Sequence, residues 1–240
     1  MTKYQLINKA IFFPDKGILA IGDLHLGYES MLKKEGMEIP FNQLEETKKE
    51  IKKIIQEIKE QKQVIKKIIL LGDIKHFFKF DKSEKFEVRD FLKFLEQYVS
   101  REKIILIKGN HERFFLDNKE YKDFYIEGDT IFTHGDKMYP EILNKKIKTI
   151  VISHIHPAIT LEEGVKKEKY KCYLIGKWKN KELFILPSFL PMIAGTEINE
   201  GYKEIKDFSI ISKEEMKRLI VYAIGETGSI FEFGKLKKNS

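Results

Sequence analysis

The chain has 240 residues, 42% of them hydrophobic and 34% charged, with a formal net charge of +7 at pH 7. That length is enough to bury a full core as one domain over 1–240, and no apolar run approaches the roughly 20 residues of a membrane span, so no membrane partner is expected. The only cysteine, Cys172, excludes an internal disulfide, and no signal-peptide core follows Met1–Gln5, so a reducing cytoplasm is expected.

Residues 4–13 alternate weakly up to Phe13-Pro14, and Asp15-Lys16-Gly17 reads as a turn. A short hairpin is expected, with one strand before the turn and a buried strand, 18–22, after it. Gly22 ends that second strand, and Asp23-x-His25 occupies the turn beyond it. Residues 28–42 are mixed, broken by Gly36 and Pro40. Ile51, Ile54, Ile55 and Ile58 then fall at helical spacing and predict a helix covering one sheet face.

Ile68–Asp73 repeats the opening pattern of apolar strand, Gly and Asp. Val88, Phe91, Leu92, Leu95 and Val99 predict a second amphipathic helix. Three more apolar runs end in polar residues: 104–107 before Gly109-Asn110-His111-Glu112, 131–133 before His134-Gly135-Asp136, and 150–152 before Ser153-His154-Ile155-His156-Pro157. Strands alternating with helices predict a layered α/β fold. Past Pro157, the paired runs 169–176 with 181–186 and 218–223 with 229–233 predict a more antiparallel sheet packed on the first half.

There are six histidines, His25, His76, His111, His134, His154 and His156, and each lies near the end of an apolar run. Chemistry in open α/β sheets gathers at strand C-termini. Asp23, Asp73 or Asn110 alone reads as a turn or capping residue, and His134 alone as a hydrogen-bonded histidine. Five strand ends carrying oxygen and imidazole ligands are hard to explain by packing. Mixed O/N ligands without thiolate suit a divalent manganese, iron, zinc or nickel ion.

The order and spacing of Asp23-x-His25, Gly72-Asp73, Gly109-Asn110-His111-Glu112, His134-Gly135 and His154-x-His156 resemble the calcineurin-like metallophosphoesterases. Gly27-Tyr28-Glu29, Pro157-Ala158-Ile159, Leu186-Pro187-Ser188-Phe189 and Ala194–Asn199 are similar to a small prokaryotic branch, related to the nuclease SbcD and to ligase-associated nucleases. The resemblance implies a four-layer sandwich, with two central mixed β-sheets flanked by helices. It implies two divalent metal ions, manganese before iron, zinc or nickel. One is held by Asp23, His25 and His156, the other by Asn110, His134 and His154, and Asp73 bridges them. His111 is then the catalytic residue that protonates or hydrogen-bonds the leaving oxygen.

The expected activity is phosphodiester hydrolysis, with DNA or RNA as the favoured substrate. A small-nucleotide phosphodiesterase and a catalytically weak scaffold of the same fold are the rival readings. A homodimer is compatible with the branch, although no motif marks one. His76 stands where many family members have an Asp that orients the catalytic histidine; it reads either as a contact to substrate phosphate or as a surface histidine. Arg113 is within reach of a phosphate, though a salt bridge is the preferred role. Ser153 replaces the usual Gly before His154.

Lys166, Lys167, Lys169, Lys171, Lys177, Lys179 and Lys181 crowd one hairpin, with Tyr170, Tyr173 and Trp178 among them. That pattern suits a groove binding phosphates and stacking bases. It also suits a lysine-guarded strand edge with its aromatics packed inward, which is the preferred reading.

Overall fold

The computed structural model describes residues 3–37, 40–77, 82–111, 119–163, 166–199 and 209–236. The first sheet has six strands in chain order: β1 (Gln5–Ile7), β2 (Ala10–Phe13), β3 (Ile18–Ile21), β4 (Lys67–Leu70), β5 (Ile104–Ile107) and β6 (Tyr121–Lys122). β1 to β3 form an antiparallel meander, and β3 to β6 run parallel. Residues 4–13 thus hold two strands where one was expected. The turn between them places Asn8 at φ 51°, a left-handed conformation that asparagine tolerates better than most residues.

Parallel pairing requires crossovers, and helices supply them. α1 (Tyr28–Lys34) and α2 (Gln43–Glu60) connect β3 to β4, and α3 (Lys82–Leu95) connects β4 to β5. α1 lies in the stretch that the sequence left as mixed. The N-cap of α2 is Asn42, whose side chain accepts the Glu45 amide at 3.1 Å, which is how a short polar side chain satisfies an orphan amide at a helix start.

The second sheet contains β7 (Phe124–Glu127), β8 (Thr130–Thr133), β9 (Thr149–Ile152), β10 (Pro157–Glu163), β11 (Lys166–Trp178), β12 (Lys181–Ile185) and β13 (Thr196–Glu197), in the order β13-β10-β11-β12-β9-β8-β7. β14 (Ile220–Ile224) pairs with β11, and β15 (Ile230–Lys235) pairs with β14. β8, β9 and β12 are mutually parallel and the other long pairs antiparallel, so the sheet is mixed.

Strand alternation sorts the core into layers. In β3, Ile18 and Ala20 face the second sheet, whereas Leu19 and Ile21 face the helices. Between the sheets, Ile11, Phe13, Ile69 and Leu71 meet Phe132, Val151, Tyr173 and Phe184. On the outer face of the first sheet lie Ile51, Ile54, Ile55 and Ile58 of α2 and Val88, Phe91 and Leu95 of α3. The strands are buried on both faces, so they read as continuous apolar runs. The far face of the second sheet is covered more thinly, by the single-turn α4 (Lys213–Met216), a 3₁₀ turn over Pro140–Leu143 and residues such as Ile147 and Leu219. Among the described residues no helix is long and apolar enough to cross a membrane.

The lysine-rich hairpin is not the guarded sheet edge expected for it: β11 pairs with β10, β12 and β14, and β12 pairs with β9 on its other side. Its aromatics do pack inward. Tyr173 and Trp178 are buried, with the Tyr173 hydroxyl donating to the Asn8 and Ala10 carbonyls and the Trp178 indole to Glu215. Neither ring is placed to stack a base. Lys166, Lys167 and Lys169 lie beside Glu168, Glu162 and Glu197. Cys172 is fully buried, and burial pushes its thiol well above the usual range.

Candidate metal centre

Five parallel strands deliver the candidate ligands to one rim. Asp23 and His25 follow β3, Asp73 and His76 follow β4, Asn110 and His111 follow β5, His134 follows β8, and His154 and His156 follow β9. The chain takes left-handed backbone just past β3, β4, β8 and β9. Among the described residues nine non-glycine residues have positive φ, and five of them are Asp23, His25, Asp73, His154 and His156. Left-handed backbone is costly for such residues and persists where the surroundings over-determine it, as at functional sites.

Among the described residues three groups of side chains could hold an ion: His25, His76 and His111 form one, and the other two meet at one carboxylate. Of those two, Asp23, His25, Asp73 and His156 form the first, and Asp73, His134 and His154 the second. In the first group, His25 Nε2 lies 3.4 Å from His156 Nε2 and 3.8 Å from Asp73 Oδ2, and His156 Nε2 lies 3.4 Å from Asp23 Oδ1. In the second, His134 Nε2 lies 3.5 Å from Asp73 Oδ2, 3.1 Å from Asn110 Oδ1 and 3.0 Å from His154 Nδ1. Asn110 thus faces the second group. His111 stands beside both, with Nε2 3.8 Å from Asp73 Oδ2.

The donors fit cations. Asp23 Oδ1 is buried with no hydrogen-bond partner, as is His25 Nδ1. Leaving a buried polar atom unsatisfied costs about 1–3 kcal/mol, more for a charged group, and a cation against Asp23 Oδ1 would remove that cost. The His134 Nδ1–H points to the Leu71 carbonyl at 2.8 Å, an arrangement that fixes a ligating ring and leaves its Nε2 lone pair toward the cluster.

Protonation behaviour reflects the crowding. Burial opposes charge on Asp73, yet the His134, His25 and His111 rings hold its carboxyl well below the ordinary range. Burial likewise opposes charge on Asp23, while His156 and His134 hold it low. Burial, reinforced by His156, pushes His25 down to about 3. His134 is raised to about 10 despite its burial, because Asp73 and Asp23 face it.

His76 is half-buried. Its Nε2 lies 3.1 Å from the Met31 sulfur, its Nδ1 has no hydrogen-bond partner, and its ring packs edge-on against Tyr28. Burial and the neighbouring His111 push it down to about 4. Arg113 and Glu112 lie outside the described residues. Ser153 has no positive φ, so its replacement of glycine carries no backbone strain. Its hydroxyl donates to the Leu71 carbonyl at 2.8 Å, the same carbonyl that His134 uses.

One supporting residue carried no signal in the sequence. Gln43 is fully buried, and its amide nitrogen donates to the Leu24 and His25 carbonyls at 3.1 and 2.9 Å. Glu29 accepts the Gln43 amide at 2.6 Å, and the Gln43 side-chain oxygen accepts the Glu29 amide at 3.2 Å. Gly27-Tyr28-Glu29 therefore ties α1 to α2 beneath His25.

On the other side, the Phe189 amide and the Ser188 hydroxyl donate to the Asp23 carbonyl at 3.0 and 3.3 Å. The Thr196 amide donates to the His156 carbonyl at 2.7 Å, and a Cβ on Gly195 would come within 2.3 Å of that same oxygen. The two C-terminal motifs thus buttress two ligand turns.

Lys171 supports this loop from below, its Nζ donating to the Ser188 and Leu190 carbonyls at 2.8 and 2.6 Å. Lys171→Met should destabilise the fold by about 1–3 kcal/mol, because two carbonyls lose their donor. For a chain of this size each kcal/mol corresponds to about 2–4 °C in Tm. Burial, with Lys9 alongside, pushes Lys171 down to about 7. Between that value and the ordinary lysine range the unfolded chain binds the extra proton, so stability contributed at this site rises with pH. Thermal melts across pH 7 to 10 should show that rise in the wild type relative to the methionine variant; parallel curves would disprove it.

An α/β sandwich with a buried histidine–aspartate cluster at its parallel strand ends is the architecture of a metal-dependent hydrolase. The chain belongs to the calcineurin-like phosphoesterases: that family's model matches residues 17–183. The family implies divalent metal ions, and the two groups at Asp73 could bind them. The Pseudomonas putida nuclease MPE shares the fold, with 19% identity and a TM-score of 0.62 over 96% of this chain and all of that one. Vps29 from Entamoeba histolytica, as a single mutant, and Vps29 from Cryptosporidium parvum are more distant. They are 12% and 13% identical with TM-scores of 0.37 and 0.36, over 90% and 91% of this chain and 99% and 97% of theirs. No curated protein matches the chain.

Proposed function

We propose that this phosphoesterase hydrolyses phosphodiesters, with nucleic acid as its substrate class. Asp23, His25 and His156 hold one divalent cation, Asn110, His134 and His154 hold a second, and Asp73 lies between them. The observation that carries this reading is the sharing of Asp73 by both ligand groups. A paired centre of this kind neutralises charge on a phosphoryl group and makes hydroxide available near neutral pH. Manganese is the metal proposed, with iron, zinc and nickel suited to the same donors. The diester class is supported by the net charge of +7 and by the fold shared with a nuclease.

The protein's own part is to bind and orient the phosphate and to supply a proton. His111 Nδ1 lies 2.5 Å from the His76 carbonyl oxygen, so Nδ1–H donates there and Nε2 faces the cluster. As the bond from phosphorus to the leaving oxygen breaks, the Nε2 proton passes to that oxygen and the ring is left neutral.

Metal-stripped protein given back manganese should turn over bis(p-nitrophenyl) phosphate and cleave a DNA oligonucleotide. His111→Ala should keep both metals and lose about 10²–10⁴-fold on the oligonucleotide, the usual worth of a positioned acid. Absence of turnover with every divalent ion, despite two bound metals, would overturn the reading.

A further inference from the structure

The family's orienting Asp is His76 here, and a side chain at that position is not what holds the proposed catalytic histidine. The main-chain carbonyl of His76 does so, accepting the His111 Nδ1–H at 2.5 Å. A carbonyl can orient a ring only if its own peptide is fixed. A Leu26–Lys75 bridge and the His76 amide's bond to the Leu26 carbonyl at 2.9 Å hold the turn as far as His76, but among the described residues no backbone group holds the Phe77 amide, at the other end of the peptide that carries the His76 carbonyl. One buried side chain does. Glu84, in the first turn of α3 and 2% exposed, accepts the His76 amide at 2.7 Å and the Phe77 amide at 2.6 Å through Oε1. A helix-start glutamate reaching back to amides ahead of the helix is a familiar capping geometry, used here on the turn that carries the His111 acceptor. Its other oxygen lies 3.9 Å from Lys75 Nζ, and that buried ammonium donates to the Phe77 carbonyl. Gly27 leaves the room for it, since a Cβ there would sit 3.1–3.3 Å from the Glu84 side chain.

We infer that Glu84 is a positioning residue for His111. It acts by fixing the 76–77 amides, so that the His76 carbonyl sets the His111 tautomer and aims Nε2 at the leaving oxygen. The catalytic half of this inference rests on the hydrolase reading above; the tautomer half does not.

The test uses the full chain as Glu84→Leu, Glu84→Gln and Glu84→Leu/His111→Ala. Nitrogen-15 NMR of the imidazoles, with His111→Ala to assign the signal, should find the neutral His111 ring held as the Nδ1–H form in the wild type, the form that takes up on Nε2 the proton it then donates as imidazolium. Glu84→Leu should show a mixture of tautomers. Glu84→Gln, which retains an acceptor oxygen, should stay close to the wild type. Metal content should be unchanged in all of them.

Glu84→Leu should slow cleavage of a dinucleotide, whose alkoxide needs a proton, by at least about tenfold. It should slow bis(p-nitrophenyl) phosphate, whose phenolate leaves without one, by less than about threefold. In the His111→Ala background it should add nothing, because two residues acting through one group are non-additive. An unchanged tautomer, equal losses on both substrates, or a further loss in the double variant would overturn the inference. A tautomer shift in a protein whose wild type cleaves neither substrate would sink the hydrolase reading and leave the positioning of His111 standing.

Discussion

Asp73→Asn should abolish diester hydrolysis and reduce bound metal from two ions per chain to one at most. The change is close to isosteric, so the fold should survive. The Asp73 Oδ1 that accepts the His111 amide at 3.0 Å can be replaced by the asparagine oxygen. What disappears is the negative charge that faces three imidazoles, His134 Nε2 at 3.5 Å and His25 and His111 Nε2 at 3.8 Å. It is the charge that both ligand groups use. Removing partners outside a metal's direct ligands commonly costs 10–100-fold in affinity or activity, so loss of a shared direct ligand should exceed about 100-fold. Metal analysis of the purified variant, together with turnover under saturating manganese, checks this. A variant that keeps two metals and more than a tenth of the activity would remove Asp73 from the bridging position.

Gly72→Ala should be strongly destabilising at the rim. Gly72 has φ +91°, and a Cβ there would lie 2.5 Å from His134 Nδ1, 2.8 Å from its Cγ and 2.9 Å from the Gly109 Cα. None of these can yield easily. His134 is fully buried and tied to the Leu71 carbonyl, and the Gly109 atom is backbone of the turn that carries Asn110. Left-handed backbone adds roughly 1–2 kcal/mol and overpacking about 1–3 kcal/mol. A loss of about 2–5 kcal/mol in urea unfolding is expected, with the His134 metal lost first. Wild-type stability with both metals retained would mean that the His134 ring does not rest on Gly72.

The candidate ligands were legible in the sequence because strand periodicity and turn chemistry are local. Ile18–Ile21, Lys67–Leu70, Ile104–Ile107, Thr130–Thr133 and Thr149–Ile152 are buried strands, and each apolar run ends at a Gly, Ser, Asp, Asn or His that marks its rim. Helices α2 and α3 were legible from their 3.6-residue stripes. α1 was not, because Gly36 and Pro40 mask a seven-residue helix held mainly by Glu29 and Gln43.

The rest emerges only when the two sheets pack. The division of β3–β5 and β8–β9 between them brings Asp23 within 3.6 Å of His134, and no local pattern encodes a contact between residues so far apart in the chain. The supporting contacts were hidden for a related reason. Leu71, His76 and Asp23 hold the site through their carbonyls. Every residue has a carbonyl, so the side chain printed at that position says nothing about the bond. Which chemistry converges on the rim is therefore written in the sequence, since ligand type lies in side chains. How each ring is aimed is settled in three dimensions, because aiming depends on main-chain atoms that all residues share.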